Sequence, residues 1–183
     1  PHPTSSGIAI SESTAISQQA YVQMQLCLIR HPRVDAPQRC YGRLDLMVDA
    51  QCLAEAIAQL GEFKQRPLIS SPAKRCLQLA HGLSACVEQW PELQELDFGA
   101  WEGCLWDDIP RAELDAWAAD LWHYRVGGGE TVHEVRARVL QAVRRAEALG
   151  QAQVLWVTHA GVIRMLLAEY HLIAEAERWT API

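Results

Sequence analysis

The chain has 183 residues, of which 50% are hydrophobic and 21% charged, and its formal net charge is −6. A chain of this length and mixture suits one globular domain with a substantial core, which excludes disorder, collagen-like repeats and coiled coil as descriptions of the whole. No apolar run reaches the roughly 18 residues that a membrane span needs. The acidic balance argues against a nucleic-acid partner.

The first 23 residues differ in composition from the rest of the chain. Residues 1–23 are rich in Ser, Thr, Gln and Pro and carry one acidic residue, Glu12. They lack the basic start and the apolar stretch of a signal peptide. We therefore expect a flexible N-terminal tail over 1–23, followed by a single domain over 24–183.

The six cysteines show no C-x-x-C spacing. A domain of this size needs no disulfide staples, so reduced thiols in an intracellular, cytoplasmic protein are the expectation. Neither cysteines nor histidines have the spacing of a metal site, and we expect no metal and no cofactor.

Short apolar runs alternate with helical patterns from residue 24 onward. Strands are predicted at 25–30, 67–70 and 154–158, with a further short one near 85–87. Helices are predicted at 49–64, 74–83, 107–124, 131–149 and 161–170, the fourth opened by the capping-box pattern Thr131-Val132-His133-Glu134. This order predicts a three-layer α/β/α sandwich around a mostly parallel sheet, with ligands beyond the carboxyl ends of the strands.

Basic and imidazole side chains follow three of the predicted strands. Arg30 and His31 follow the first, Arg75 lies at the start of the helix after the second, and His159 follows the last. Each alone could be a surface or capping residue. Together at one edge they would need a counter-charge, which a phosphate group supplies.

Six motifs in chain order resemble those of the histidine phosphatase superfamily, the phosphoglycerate-mutase-like proteins. They are Leu28-Ile29-Arg30-His31, the loop from Cys40 to Leu46, Ser70-Ser71-Pro72 with Arg75, the segment from Glu92 to Gly103, Gly128-Gly129-Glu130-Thr131, and Val157-Thr158-His159 continuing to Arg164. No single one of these motifs would be specific, but the ordered set covers the chain from residue 24.

The resemblance implies a role for individual side chains. His31 would be the nucleophile that becomes phosphorylated, attacking as neutral imidazole while its other ring nitrogen donates to a carbonyl. Arg30, Arg75 and a protonated His159 would hold the phosphoryl oxygens. The proton for the leaving group would come from Glu95.

Further implications concern the substrate and the choice of acid. Gly42 and Arg43 would contact the substrate, a small phosphomonoester. The nearby carboxylates of Glu92, Asp97 and Glu102 remain alternatives to Glu95, because the sequence does not show which of them has a raised pKa.

Two departures from the family pattern follow the proposed site residues. Pro32 replaces the usual glycine after the nucleophile and keeps a carbonyl but has no N–H. Ala160 replaces a glycine after His159. The roughly 160 residues of the domain leave little room for the extra segments of mutases, which favours a phosphatase.

Among short members, the loops most resemble alpha-ribazole phosphatases of cobalamin biosynthesis. A phosphoglycerate-mutase-type phosphoryl transfer and a non-catalytic phosphate-binding relative remain the alternatives, and the protein would be a monomer or homodimer. Five tryptophans between residues 90 and 122 could stack on a flat substrate group, or could simply form an aromatic core.

Overall fold

A computed structural model describes residues 24–174 and 182–183. The flexible tail predicted over 1–23 lies outside these residues. The described part contains a four-stranded sheet and five α-helices, in the order β1 (Gln25–Arg30), α1 (Ala50–Gln59), β2 (Leu68–Ser70), α2 (Lys74–Leu83), β3 (Val87–Gln89), α3 (Arg111–Ala119), α4 (Val132–Ala148), β4 (Gln153–Thr158) and α5 (Ala160–Glu169).

The sheet is entirely parallel, with strand order β1-β4-β2-β3. In this register Arg30 lies beside Thr158, and Ser70 lies beside Val157. The three strands β1, β4 and β2 therefore end at nearly the same height. Their next residues emerge together at one edge of the sheet, as the sequence predicted.

Alternate residues of β4 face two separate cores, one on each side of the sheet. Val154 and Trp156 pack with α4 and α5, whereas Leu155 and Val157 pack with α1 and α2. This alternation follows from the period of two in a strand. Helices thus cover both faces, and the predicted three-layer α/β/α class is confirmed.

The ends of some helices and strands differ from those predicted, mainly near Pro110 and at short elements. The helix predicted over 107–124 is a 3-10 turn at Trp106–Asp108 followed by α3, because the ring of Pro110 cannot be accommodated inside a helix. The helix predicted over 49–64 ends at Gln59 and continues as a 3-10 turn. The short strand predicted near 85–87 begins at Val87.

The capping box at the start of α4 is present. The backbone N–H of Glu134 donates to Thr131 Oγ1 at 3.2 Å, and the backbone N–H of Thr131 donates to Glu134 Oε2 at 2.8 Å. These bonds satisfy amide groups that the first turn of a helix leaves unpaired.

Replacing Thr131 with alanine removes one half of this cap. We expect Thr131→Ala to lower the free energy of unfolding by about 1 kcal/mol, as measured by urea unfolding. Thr131→Ser keeps the hydroxyl oxygen and should retain most of that stability. Equal losses in the two variants would show that the cap does not stabilise the fold.

Candidate active site

The carboxyl edge of the sheet brings two histidines together. The backbone N–H of His31 donates to Thr158 O at 3.0 Å, which extends the β1–β4 pairing by one residue and places His31 beside His159. The two imidazole rings lie edge to face, with centroids 5.1 Å apart. Their exposed fractions are only 6% for His31 and 0% for His159.

The hydrogen bonds of His31 define its tautomer. Nδ1 lies 2.7 Å from the carbonyl oxygen of Pro32, and because a carbonyl only accepts, the ring proton is assigned to Nδ1. This leaves the lone pair on Nε2, toward which Arg75 Nε donates at 3.3 Å. The expected carbonyl partner is therefore present, and the proline that departs from the family pattern supplies it.

Burial keeps the His31 ring neutral. Desolvation lowers its pKa to about 4, with the positive charges of Arg75 and Arg30 acting in the same direction and the Pro32 carbonyl opposing them. Near neutral pH the ring is therefore uncharged, with its Nε2 lone pair directed at Arg75.

Arg75 is fully buried and fixed by backbone carbonyls. Its two terminal nitrogens donate to Leu44 O at 2.9 Å and to Gly42 O at 2.5 Å. The chain at Gly42 passes so close to its neighbour that an added Cβ would lie 1.8 Å from Leu96 O. Glycine is thus required for the loop that orients Arg75.

His159 precedes α5, and its pKa corrects one expectation. Nε2 lies 2.8 Å from Ser71 Oγ and 3.6 Å from Cys76 Sγ. Burial, followed by the charge of Arg75 and the neighbouring His31, holds the pKa of His159 well below its usual range. This direction is opposite to the protonated His159 expected from the sequence, and the phosphate-binding role of His159 stays a prediction.

The Glu95 carboxylate accepts a hydrogen bond from the first turn of α5. Its Oε2 accepts from the backbone N–H of Gly161 at 3.0 Å, and Oε1 accepts from the N–H of Leu96 at 3.1 Å. A Cβ on Gly161 would lie 2.4 Å from Glu95 Oε1. The missing side chain at Gly161 thus makes room for Glu95 two residues after His159.

The three alternative carboxylates are held elsewhere. Glu102 accepts from the amides of residues 42–44 and of Phe98. Asp97 accepts from the N–H of Gly99, and Glu92 lies 3.7 Å from Arg145 on α4. Among these four carboxylates, Glu95 is the one in contact with the helix that follows His159.

The remaining predicted residues contact other parts of the protein. Arg30 is exposed, with Nη1 3.5 Å from Ile183 O. The Gly42 N–H is taken by Glu102, and the Arg43 side chain donates to Glu95 O at 3.1 Å and to Glu130 at 3.1 Å. Phosphate binding by Arg30 and substrate binding by Gly42 and Arg43 stay predictions, and these contacts do not favour the latter pair.

The tryptophan-rich stretch packs largely against itself. Phe98, Trp101, Trp106 and Trp117 form edge-to-face and stacked pairs with ring centroids 5.8 to 6.4 Å apart. Trp90 is buried against Trp156. These contacts favour the aromatic-core interpretation over stacking on a substrate.

The sequence interpretation missed residues that support the site. Ser71 and Cys76 contact His159, and Arg138 hydrogen-bonds the backbone of the Glu95 segment. Ser71 and Cys76 lie within a motif already recognised, so position in that motif was a usable signal. Arg138 lies inside α4, where an arginine normally indicates only a solvated face.

Residues 24–174 and 182–183 contain neither a candidate metal cluster nor a candidate membrane span. No group of three or more His, Cys, Asp or Glu side chains there could hold a metal ion. None of the helices in those residues is both long and apolar enough to cross a membrane. The six cysteines are free thiols.

Comparison with known proteins identifies the family of the chain. The profile of the histidine phosphatase superfamily (branch 1) matches residues 26–183, and the chain belongs to this family. A 6-phosphofructo-2-kinase/fructose-2,6-bisphosphatase of Caenorhabditis elegans is 33% identical over 154 residues, which are 79% of this chain and 33% of that protein. The chain thus spans about a third of that relative.

Two solved structures share the fold over most of both chains. The protein TTHB049 from Thermus thermophilus is 29% identical with a TM-score of 0.65, covering 78% of this chain and 82% of that one. The alpha-ribazole phosphatase from Shigella flexneri is 25% identical with a TM-score of 0.73, covering 84% of this chain and 83% of that one.

The lowered pKa of His31 predicts a pH-dependent loss of stability. Between the ordinary value of 6.5 and the folded value of about 4, the unfolded chain binds a proton at His31 that the folded chain does not. Stability therefore falls as pH drops through this window. From pH 7 to 4.5 we expect the wild type to lose about 2–3 kcal/mol more than His31→Asn in urea unfolding. Parallel pH profiles would contradict a depressed pKa.

Proposed function

We propose that the protein is a phosphomonoester hydrolase that works through a phosphohistidine at His31. One observation carries the proposal: a buried, neutral imidazole whose Nδ1 proton is tied to the Pro32 carbonyl and whose Nε2 lone pair faces the Arg75 guanidinium. Such a ring is a ready nucleophile, and the cation beside it attracts the phosphoryl group to be attacked.

In the first step, Nε2 of His31 attacks phosphorus and the bond from phosphorus to the leaving oxygen breaks. The Arg75 Nε–H that donates to the Nε2 lone pair is released as the P–N bond forms, and together with the N–H bonds not used by Gly42 and Leu44 it becomes available to phosphoryl oxygens. A dianionic phosphoryl group would supply the anion that His159 lacks and would favour its protonated, donating form. Glu95 gives its proton to the departing alkoxide.

In the second step, water attacks the phosphohistidine and returns the enzyme to its starting state. The Glu95 carboxylate, now ionised, accepts a proton from the water as the new P–O bond forms and the P–N bond breaks. Inorganic phosphate leaves and His31 Nε2 regains its lone pair. No metal or cofactor takes part in this proposal.

Alpha-ribazole 5′-phosphate, a cobalamin precursor, is the substrate that we favour. The support is the loop resemblance together with the likeness to the Shigella alpha-ribazole phosphatase over most of both chains. Fructose 2,6-bisphosphate is the competing substrate, because the curated relative carries a fructose-2,6-bisphosphatase name. Phosphate release from both compounds and from 3-phosphoglycerate would rank them, and isomerisation without release would indicate a mutase.

Replacing His31 tests the nucleophile. His31→Asn should abolish phosphate release and the trapping of acid-labile phosphoprotein after rapid quench, because no ring nitrogen remains to be phosphorylated. His81→Asn is the matched control, since His81 is exposed on α2 and should leave activity unchanged. Full activity in His31→Asn would refute the mechanism.

Replacing Glu95 tests the general acid. Glu95→Gln should lower kcat/KM for an alkyl phosphate by about 10²–10⁴-fold, because a poor leaving group needs a proton. For 2,4-dinitrophenyl phosphate, whose leaving group departs as an anion, kcat/KM should change little. Glu92→Gln serves as the control carboxylate and should affect neither substrate. Equal losses on both substrates in Glu95→Gln would argue against an acid role.

A further inference from the structure

We propose that Arg138 is a positioning residue that sets the location of the Glu95 carboxylate, with Glu130 orienting its guanidinium. This inference rests on the proposed function, because it assigns a task to a group that supports the proposed acid. Arg138 lies in α4, and its hydrogen bonds go to the Glu95 segment and to Glu130.

The guanidinium of Arg138 holds three backbone carbonyls of the segment that ends at Glu95. Nη1 donates to Glu92 O at 2.7 Å and to Gln94 O at 2.6 Å, and Nη2 donates to Glu95 O at 3.0 Å. This segment is a 3-10 turn, Pro91–Leu93, followed by extended chain, so a sheet ladder does not satisfy those carbonyls. Arg138 donates to these carbonyls as the N–H groups of a neighbouring strand would in a sheet.

Glu130 fixes the guanidinium in that orientation. Its two carboxylate oxygens accept from Nε and Nη2 of Arg138, both at 3.0 Å, which is a bidentate pair of the kind that specifies geometry. The side chains are only 16% and 19% exposed. Burial raises the pKa of Glu130, but the hydrogen bonds and charge of Arg138 outweigh it and leave the pKa below its usual range, so Glu130 is ionised.

Arg43 adds a second guanidinium to the same point. It donates to Glu95 O at 3.1 Å, to the side-chain oxygen of Gln94, and to Glu130 Oε2 at 3.1 Å. The carbonyl of Glu95 therefore accepts from two arginines, and one carboxylate lies between the two positive charges. This is the contact that makes Arg43 part of the support for Glu95.

The two ends of Glu95 are thereby fixed by different elements. Its carbonyl is held by Arg138 and Arg43, and its carboxylate is held by the N–H of Gly161 on α5. Without Arg138 the segment would gain freedom at the carbonyl, and the carboxylate would shift from its place. A misplacement of about 1 Å costs on the order of 10²-fold in rate.

The test compares Arg138→Gln with Glu95→Gln on an alkyl phosphate and on 2,4-dinitrophenyl phosphate. If Arg138 acts through Glu95, kcat/KM for the alkyl substrate should fall about 10–100-fold, with less than about a threefold change for the activated substrate. KM for the activated substrate should stay unchanged. Arg138→Lys, which keeps a donor, should give an intermediate loss with the same dependence on leaving group.

The matched control is Arg144→Gln, on the same helix. Arg144 is exposed, and its replacement should affect neither substrate. If Arg138→Gln fails to fold, Glu130→Gln and Arg138→Lys make the same test, with folding checked by thermal unfolding.

Each outcome separates the inference from the proposed function. Equal losses on both substrates in the Arg138 variants, or no loss at all, would overturn the positioning role while a selective effect in Glu95→Gln leaves the phosphatase mechanism standing. Equal or absent effects in Glu95→Gln would overturn the acid assignment, and the positioning role would fall with it. A selective effect in both variants supports both.

Discussion

The site depends on three ionisable side chains that are buried together, where water does not screen their charges. His31, His159 and Arg75 occupy one buried region, and bringing three cations there would be prohibitively unfavourable. Arginine keeps its proton under any physiological condition, so its charge adds to burial in lowering the pKa of both imidazoles. Burial is thus the main reason that the His31 ring is neutral and the charge of Arg75 adds to it, and in the proposed mechanism the same charge attracts a phosphoryl dianion.

Hydrogen bonds to backbone carbonyls offset the cost of burying Arg75. The guanidinium of Arg75 finds its partners in Gly42 O and Leu44 O, and the loop that presents them is itself fixed by the Glu102 carboxylate. Buried charges are stable only when hydrogen-bonded, and here the bonds leave the net positive charge intact. The site therefore holds a cation without neutralising it, as the proposed binding of a phosphoryl group requires.

The fold and the proximity of His31 to His159 were accessible from the sequence for a simple reason. Short apolar strands between amphipathic helices imply a parallel sheet, and in such a sheet the residues after the strands meet. That logic brought His31 and His159 together, as the structure confirms. It did not predict the lowered pKa of His159, because burial by residues distant in sequence is not visible in a motif. The extent of α3 was also overestimated, although Pro110 was a signal that the helix begins later.

For Arg43, the role implied by the family resemblance differs from the contacts seen in the structure. Arg43 lies in the Cys40–Leu46 motif, and the family resemblance implies a substrate-binding role for it. In the structure its guanidinium donates instead to Glu95 O and to Glu130. Two residues from a later part of the chain form ion pairs in the same cluster: Glu130, just before α4, and Arg138, on α4 itself. The site thus uses its arginines in two ways. Two of the five N–H bonds of Arg75 are not used by His31, Gly42 and Leu44, whereas Arg43 and Arg138 donate to main-chain carbonyls and to Glu130; in the proposed mechanism this difference in partners separates phosphate binding from support of the acid.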